Sequence, residues 1–281
     1  MTDFTEAERR DKCLLEQLQA APMVTVLGIV GASGVSGLGS ETYKQQFAFD
    51  AWKYPGVPIQ NRKLSLRKYV SREEFRQSRK TIHPYAILEI QARVVESPAL
   101  WSIPGFIDLN NPQGLLVDIV SPGSLDQELR ARAQELQQPV TFHDPVFGHF
   151  TLNRRLNWYE TQVSWAACAI QLSLRVDAGD DVKPALSVAH TLWQSQQDWN
   201  QRILQCAVSR LLPLKNASWL DQDEQPVTAE QFAANMKLTS VVLYPNGTFE
   251  FWHNDGGLFW KHAILVTGNL EDGPARADIS G

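Results

Sequence analysis

The spacing of apolar and polar positions changes period several times along the chain, and each change marks an element. Residues 5 to 20, TEAERRDKCLLEQLQA, combine good helix formers with apolar Leu14, Leu15 and Leu18, which predicts an N-terminal helix. Strands are expected near 23 to 31, 43 to 49 and 57 to 68, with Tyr43, Phe47 and Phe49 on one alternating face. Ser71 followed by Glu74 forms a capping box that starts a short helix ending before Pro84. YAILEIQARVV from 85 and LLVDIV at 115 to 120 alternate like strands. These elements make residues 1 to 121 a small, mainly-β domain with an N-terminal helix. Pro122 and Gly123 then interrupt the chain, and SLDQELRARAQELQQ reads as a charged connecting helix within 122 to 139.

The second domain, 140 to 281, opens with strands in 146 to 176. Apolar residues next recur at helical spacing from Val182 to Leu212, a single long helix with Asp181 at its start and Pro213 after its end. A helix from Thr228 to Asn235 follows. Asn246-Gly247, Asn254-Asp255-Gly256-Gly257 and Asp272-Gly273 are turn signals separating strand-length segments, which predicts a C-terminal four-stranded antiparallel meander. A two-residue Asn246-Gly247 loop would pair Tyr244 with Phe249 and Val242 with Phe251. A four-residue loop at 254 to 257 would then pair Phe251 with Trp260, Glu250 with Lys261, Trp252 with Phe259 and Phe249 with His262. The fold class is therefore α+β: a mainly-β first domain, then an antiparallel-sheet domain packed on a long helix and closed by the meander.

One glycine run tests a specific chemistry. VTVLGIVGASGVSGLGS at 24 to 40 follows an apolar run with glycines, as phosphate loops do. Its one Gly-x-Gly, Gly37 and Gly39, meets Thr42 where a dinucleotide fingerprint needs its third glycine. Gly34 and Gly39 have Walker spacing but lead to Ser40 and Glu41 rather than Lys-Ser/Thr. Both motifs also need a helix next, whereas YKQQFAFD has strand periodicity. The run reads as a strand-to-strand loop.

Charge and cysteine usage narrow the picture further. Basic and acidic residues balance at sixteen each in 1 to 140 but stand at ten and fifteen in 141 to 281, so the net charge of −5 sits in the second half. That excess disfavours nucleic-acid binding there. Arg62, Lys63, Arg67, Lys68, Arg72, Arg76, Arg79 and Lys80 form a basic cluster in the first half, which reads as a solvated face. Cys13, Cys168 and Cys206 are odd in number and far apart, giving neither a disulfide framework nor a Cys-x-x-Cys site. With no basic-then-apolar leader and no apolar stretch of spanning length, the expectation is a cytoplasmic protein without a membrane segment.

Two groups could carry chemistry: HDPVFGH, with His143, Asp144 and His149, and HNDGGLFWKH, with His253, Asp255 and His262. Imidazoles and carboxylates are metal ligands and proton carriers, but their spacing fits no metal motif, and no metal or cofactor is expected. DQDE at 221 to 224 lacks the glycine and distal glutamate of a calcium loop. No Gly-x-Ser-x-Gly elbow occurs. Seven of the nine tryptophans lie in the second domain, where large aromatics serve as core first. Trp252 and Trp260 flank the second histidine group and join it as binding candidates.

FHDPVFGHFTLNRRLNWYE, ASWLDQDEQPVTAEQF and LYPNGTFEFWHNDGGLFWKHAILV resemble the bacterial family catalogued as domain of unknown function 2262, over roughly 141 to 281, with Lys261 where a glycine is expected. The first domain resembles the β-rich region often preceding it. The resemblance implies an α+β domain of bacterial, cytoplasmic origin with no assigned reaction; by analogy with domains near toxin and immunity genes, it suggests partner binding. The reading is a non-enzymatic protein-binding module, of immunity type or otherwise. The alternative is a metal-assisted hydrolase built on His143, Asp144, His149, His253 and His262.

Overall fold

The computed structural model describes residues 6–40, 42–98, 111–123, 125–176 and 181–281, so the expected helix start at position 5 lies outside the described residues. The chain divides into two compact units, 1–138 and 139–281.

The first unit contains α1 (Glu6–Ala20), β1 (Met23–Val30), β2 (Ser36–Leu38), β3 (Thr42–Lys53), β4 (Leu64–Ser71), α2 (Arg72–Thr81), β5 (Ile87–Val95), β6 (Gln113–Pro122) and α3 (Gln127–Gln137). Its strand order is β1-β5-β6-β4-β3-β2, and β1 also pairs with β3. That extra pairing closes β1, β3, β4, β6 and β5 into a ring, with a parallel contact between β4 and β6 and a helix between β4 and β5. This is the arrangement of an OB-type Greek-key barrel. Closure explains why MVTVLGIV is apolar almost throughout. Val26 and Val30 fill the barrel with Phe47, Phe49 and Leu66, while Ile29 meets Leu129 and Ala133 of α3 outside. Lys53 Nζ fastens that helix, 2.8 Å from both Asp126 and Glu128. The charged segment expected as a connector thus packs on the barrel and belongs to the first unit. The strand expected at 57 to 68 begins only at Leu64, because Pro55, Gly56 and Pro58 break the ladder.

α1 lies on the barrel's outer surface, burying Leu14 and Leu18. Its Asp11 accepts from Lys44 Nζ at 2.5 Å, Arg67 Nη1 at 2.6 Å and Tyr69 Oη at 3.2 Å. β3 and β4 are the strands whose outer face OB-type barrels commonly give to oligonucleotides. Here part of the basic cluster on that face is neutralised by the chain's own helix.

The second unit holds β7 (Thr141–Asp144), β8 (Gly148–Asn153), β9 (Trp158–Trp165), β10 (Cys168–Arg175), α4 (Lys183–Gln194), α5 (Gln196–Ser218), α6 (Ala229–Asn235), β11 (Lys237–Leu243), β12 (Thr248–Asn254), β13 (Ala263–Asn269) and β14 (Gly273–Ser280). One eight-stranded sheet runs β14 to β7 in reverse chain order. It is antiparallel apart from β10 and β11, which pair in parallel across the helical connection. β11 to β14 form the expected meander. The expected long helix breaks at Ser195 (ψ 42°) into α4 and α5. Pro213 lies inside α5 rather than after it; the ladder bond its missing N–H removes belongs to the carbonyl of Ser209, an exposed residue that water can satisfy. Trp165, Trp193 and Trp199 pack edge-on with one another or with Phe249 and Phe251, as core aromatics.

The meander's register differs from the expected one. Leu243 pairs with Phe249 and Val241 with Phe251, a one-residue slip. Pro245 is the cause: Gly247 N bonds Tyr244 O, which puts Pro245 and Asn246 at the centre of a turn, followed by Gly247 at φ 86°. Proline's fixed negative φ suits that type I turn and bulge rather than a two-residue loop. The next connection is longer than four residues, running from Asp255 to His262. Glu250 faces Val242 and Thr267 instead of Lys261, and Phe249 faces Gly268 instead of His262. Leu258 and Phe259 leave strand geometry because the core takes them; Phe259 is fully buried against Phe232 and Trp219.

Candidate functional site

The structure scatters the two histidine groups. His143 and His149 are exposed cross-strand partners, ring centroids 4.7 Å apart on the edge hairpin β7–β8. His253 lies on β12, four strand spacings from β8, about 19 Å. No group of three or more His, Cys, Asp or Glu residues among the described residues could hold a metal.

Each member has a local role. Asp144 is buried and caps its own turn, its Oδ1 accepting from Val146 N at 2.9 Å and Phe147 N at 3.0 Å. His190, unremarked in the sequence, sits 3.0 Å from Asp144 Oδ2 and ties α4 to that turn. Burial pushes the Asp144 carboxyl up, but the two amides and His190 outweigh it and hold it below the ordinary value. His253 points into the core with its Nδ1 unpartnered, and burial pushes its pKa down to about 4, with backbone groups at Phe251 and Ile264 pulling weakly the other way. Asp255 is buried and organises its loop, accepting from Phe259 N at 2.7 Å and Lys261 N at 3.1 Å. Trp260 is exposed and tilts against Trp219, which also meets the ring of half-buried His262 edge-on.

Trp260 and Lys261 both have left-handed backbones, at φ 54° and 76°. A lysine stands where glycine is the unstrained choice, matching the glycine the resemblance leads one to expect. The strain costs about 1–2 kcal/mol, and glycine's extra unfolded-state entropy takes back roughly half. Lys261→Gly is expected to stabilise the second unit by up to about 1 kcal/mol in urea unfolding. A destabilised variant would mean the lysine side chain contributes something the backbone argument omits.

The sheet's alternation builds a different constellation. Phe249, Phe251 and His253 point to the helices, so Glu250 and Trp252 occupy the opposite face, on which no helix of this unit packs among the described residues. There Glu250 accepts from Tyr244 Oη at 2.7 Å and from Trp252 Nε1 at 2.9 Å. Burial and this bond push the Tyr244 phenol up to about 12, so it remains a donor. Arg175 lies 5.7 Å from the Trp158 ring centroid and 5.8 Å from that of Tyr244. Glu160, opposite Ser173, accepts from Asn153 Nδ2 at 3.2 Å and lines a polar hollow of about 440 Å³ with Gln162 and Gln171. Trp158 Nε1 has no acceptor among the described residues.

Trp158, Arg175, Tyr244, Glu250 and Trp252 thus run across neighbouring strands β9 to β12. Of these only Trp252 stood out in the sequence. The signal for the rest was present as Trp and Arg at outward positions of WYETQV and QLSLR, but choosing the outward face requires knowing which side the helices cover.

Residues 144–279 match the family model described as "Uncharacterized protein conserved in bacteria (DUF2262)", and residues 12–136 match "Domain of unknown function (DUF7021)". No curated protein and no solved structure matches the chain.

Proposed function

We propose, for a chain whose second domain belongs to the uncharacterised family DUF2262 and whose first belongs to DUF7021, that the second domain is a non-enzymatic protein-binding module. The observation that carries this reading is the aromatic and arginine row on the face of its sheet turned away from the helices. Trp, Tyr and Arg are the residues on which interface energy concentrates, because each combines a large apolar surface with a polar handle. Glu250 holds two of these side chains and ring stacking holds a third, so little rotamer freedom remains to be lost on association. The surrounding Glu160, Gln162 and Asn153 suit a polar rim. An immunity-type role fits this description, with a toxin as the partner. The hydrolase alternative rests on ligands that lie on separate elements, and one-to-one zinc or manganese in the purified protein would revive it.

The test is quantitative affinity capture from the source cells, using the wild type beside Arg175→Ala and Trp252→Ala. Each substitution is expected to cost about 2 kcal/mol of binding, roughly thirtyfold in Kd for the captured protein. Far-UV circular dichroism and the urea midpoint should stay close to the wild type, since both side chains are off the core face. A partner retained equally by both variants would place the interface elsewhere; finding none at all would leave the reading without its central fact.

A further inference from the structure

The first unit contains a pocket of about 370 Å³ where four of its elements meet: the end of α2, the turn into β5, the end of β6 and the first turn of α3. Lys80, Thr81, His83, Tyr85 and Arg130 line it, and no acidic side chain among the described residues does. None of the side chains of Lys80, Thr81, Tyr85 or Arg130 has a hydrogen-bond or ion-pair partner among the described residues. His83 uses only Nδ1, 3.1 Å from the carbonyl of Pro84. Four side chains able to donate therefore line one concavity without an acceptor, and His83 keeps its Nε2 there as a fifth polar group. Lys80, His83 and Arg130 are exposed, as Lys63 and Arg79 are elsewhere in the unit; what distinguishes them is that they line one concavity.

The pocket's backbone is fixed in advance. Tyr85 is a bulky residue in the left-handed region, at φ 62°, a conformation that costs about 1–2 kcal/mol and survives only where its surroundings impose it. Tyr85 N donates to Val30 O at 2.9 Å, and Val30 N to Ala86 O at 2.8 Å, so the barrel's own ladder holds the turn.

We infer that this pocket binds a small phosphate-bearing dianion. A guanidinium fork, an ammonium and two hydroxyls match tetrahedral oxygens, and two full positive charges neutralise a phosphate monoester. The C-terminal carbonyls of α2 oppose an anion with about half a charge, which the two cations exceed fourfold. Because 370 Å³ is several times the volume of one phosphate, room remains for a compact organic group. The inference concerns the first unit and stands apart from the protein-binding reading of the second.

Titration calorimetry of the full-length chain at constant ionic strength tests it, with ribose 5-phosphate, inorganic phosphate and ribose as probes. Saturable binding of ribose 5-phosphate is expected, with none for ribose. Arg130→Ala and Lys80→Ala should each weaken it by about tenfold or more, whereas Arg132→Ala, the same charge change on the same helix, should leave it unaltered. Inorganic phosphate binding as tightly as the monoester identifies free phosphate as the ligand class; weaker binding shows that the organic group is read as well. The inference fails if neither anion saturates by about 10 mM, or if Arg132→Ala weakens binding as much as Arg130→Ala, which would make the effect one of general charge.

Discussion

Gly28→Ala is expected to destabilise the first unit by about 3 kcal/mol, a large share of an ordinary domain's stability. Gly28 sits inside the barrel, opposite Trp52 on β3, and a Cβ there would fall within the ring of fully buried Phe49. The ring cannot yield cheaply, because Leu64, Leu66 and Val30 fill the same interior. A site that clashes with one neighbour should be coupled to it: in a Phe49→Leu background the cost of Gly28→Ala should shrink by at least about 1 kcal/mol. Hydrogen exchange of the β1 and β5 amides reports this unit separately from the second. Additive effects of the two substitutions would show that the glycine is needed for another reason.

The second large effect is acid sensitivity through His253. Its unfolded pKa is near 6.5 and its folded pKa about 4, so the fold favours the neutral ring. Above pH 6.5 both states are neutral and folding carries no proton cost. As pH falls through 6.5 the unfolded chain takes up a proton that the folded one refuses, and stability declines until about pH 4. The loss relative to pH 8 should reach about 2 kcal/mol at pH 5 and about 3 kcal/mol at the limit. Carboxylates held low, such as Asp144 and Glu224, act in a separate window: their contribution is present above the unfolded carboxylate pKa and disappears only as pH falls through their lowered folded values. His253→Leu should therefore flatten the second unit's stability between pH 6.5 and 5 while leaving the steeper acid limb in place. Tryptophan fluorescence in urea follows this transition, since Trp165 and Trp199 lie in that core. An unchanged slope in His253→Leu would assign the proton uptake to another group.

How much was legible in the sequence depended on the distance over which each feature is decided. The capping box of Ser71 with Glu74 is local and forms as expected, and the helix expected from Thr228 is started by a second box, Thr228 with Gln231. The N-terminal helix, YKQQFAFD as strand and the meander followed from periodicity and turn residues, which a few neighbouring positions set. The rejected phosphate motif in the glycine run concerned local spacing too, and the structure places β1, β2 and a connecting loop there. The register of the meander was less secure although its turns were visible. Pro245 selects a different turn from Asn-Gly alone, and the core pulls Leu258 and Phe259 out of line.

Tertiary structure decided what no short window contains. β1 closing on both β3 and β5 turns a sheet into a barrel, and β10 meeting β11 in parallel joins strands separated by three helices. The candidate site follows from the second event. Only when β10 lies beside β11 does Arg175 reach Tyr244, and only the side on which the helices pack decides that these residues share the other face. Histidine and aspartate drew notice in the sequence because their chemistry belongs to the residue; whether the two groups meet depends on sheet order, which separates them. The sequence determined two mixed domains and their local signals, since propensity, capping and turn chemistry act over a few residues. The structure alone determined the partners, because pairing between distant strands is chosen by how the whole core is buried.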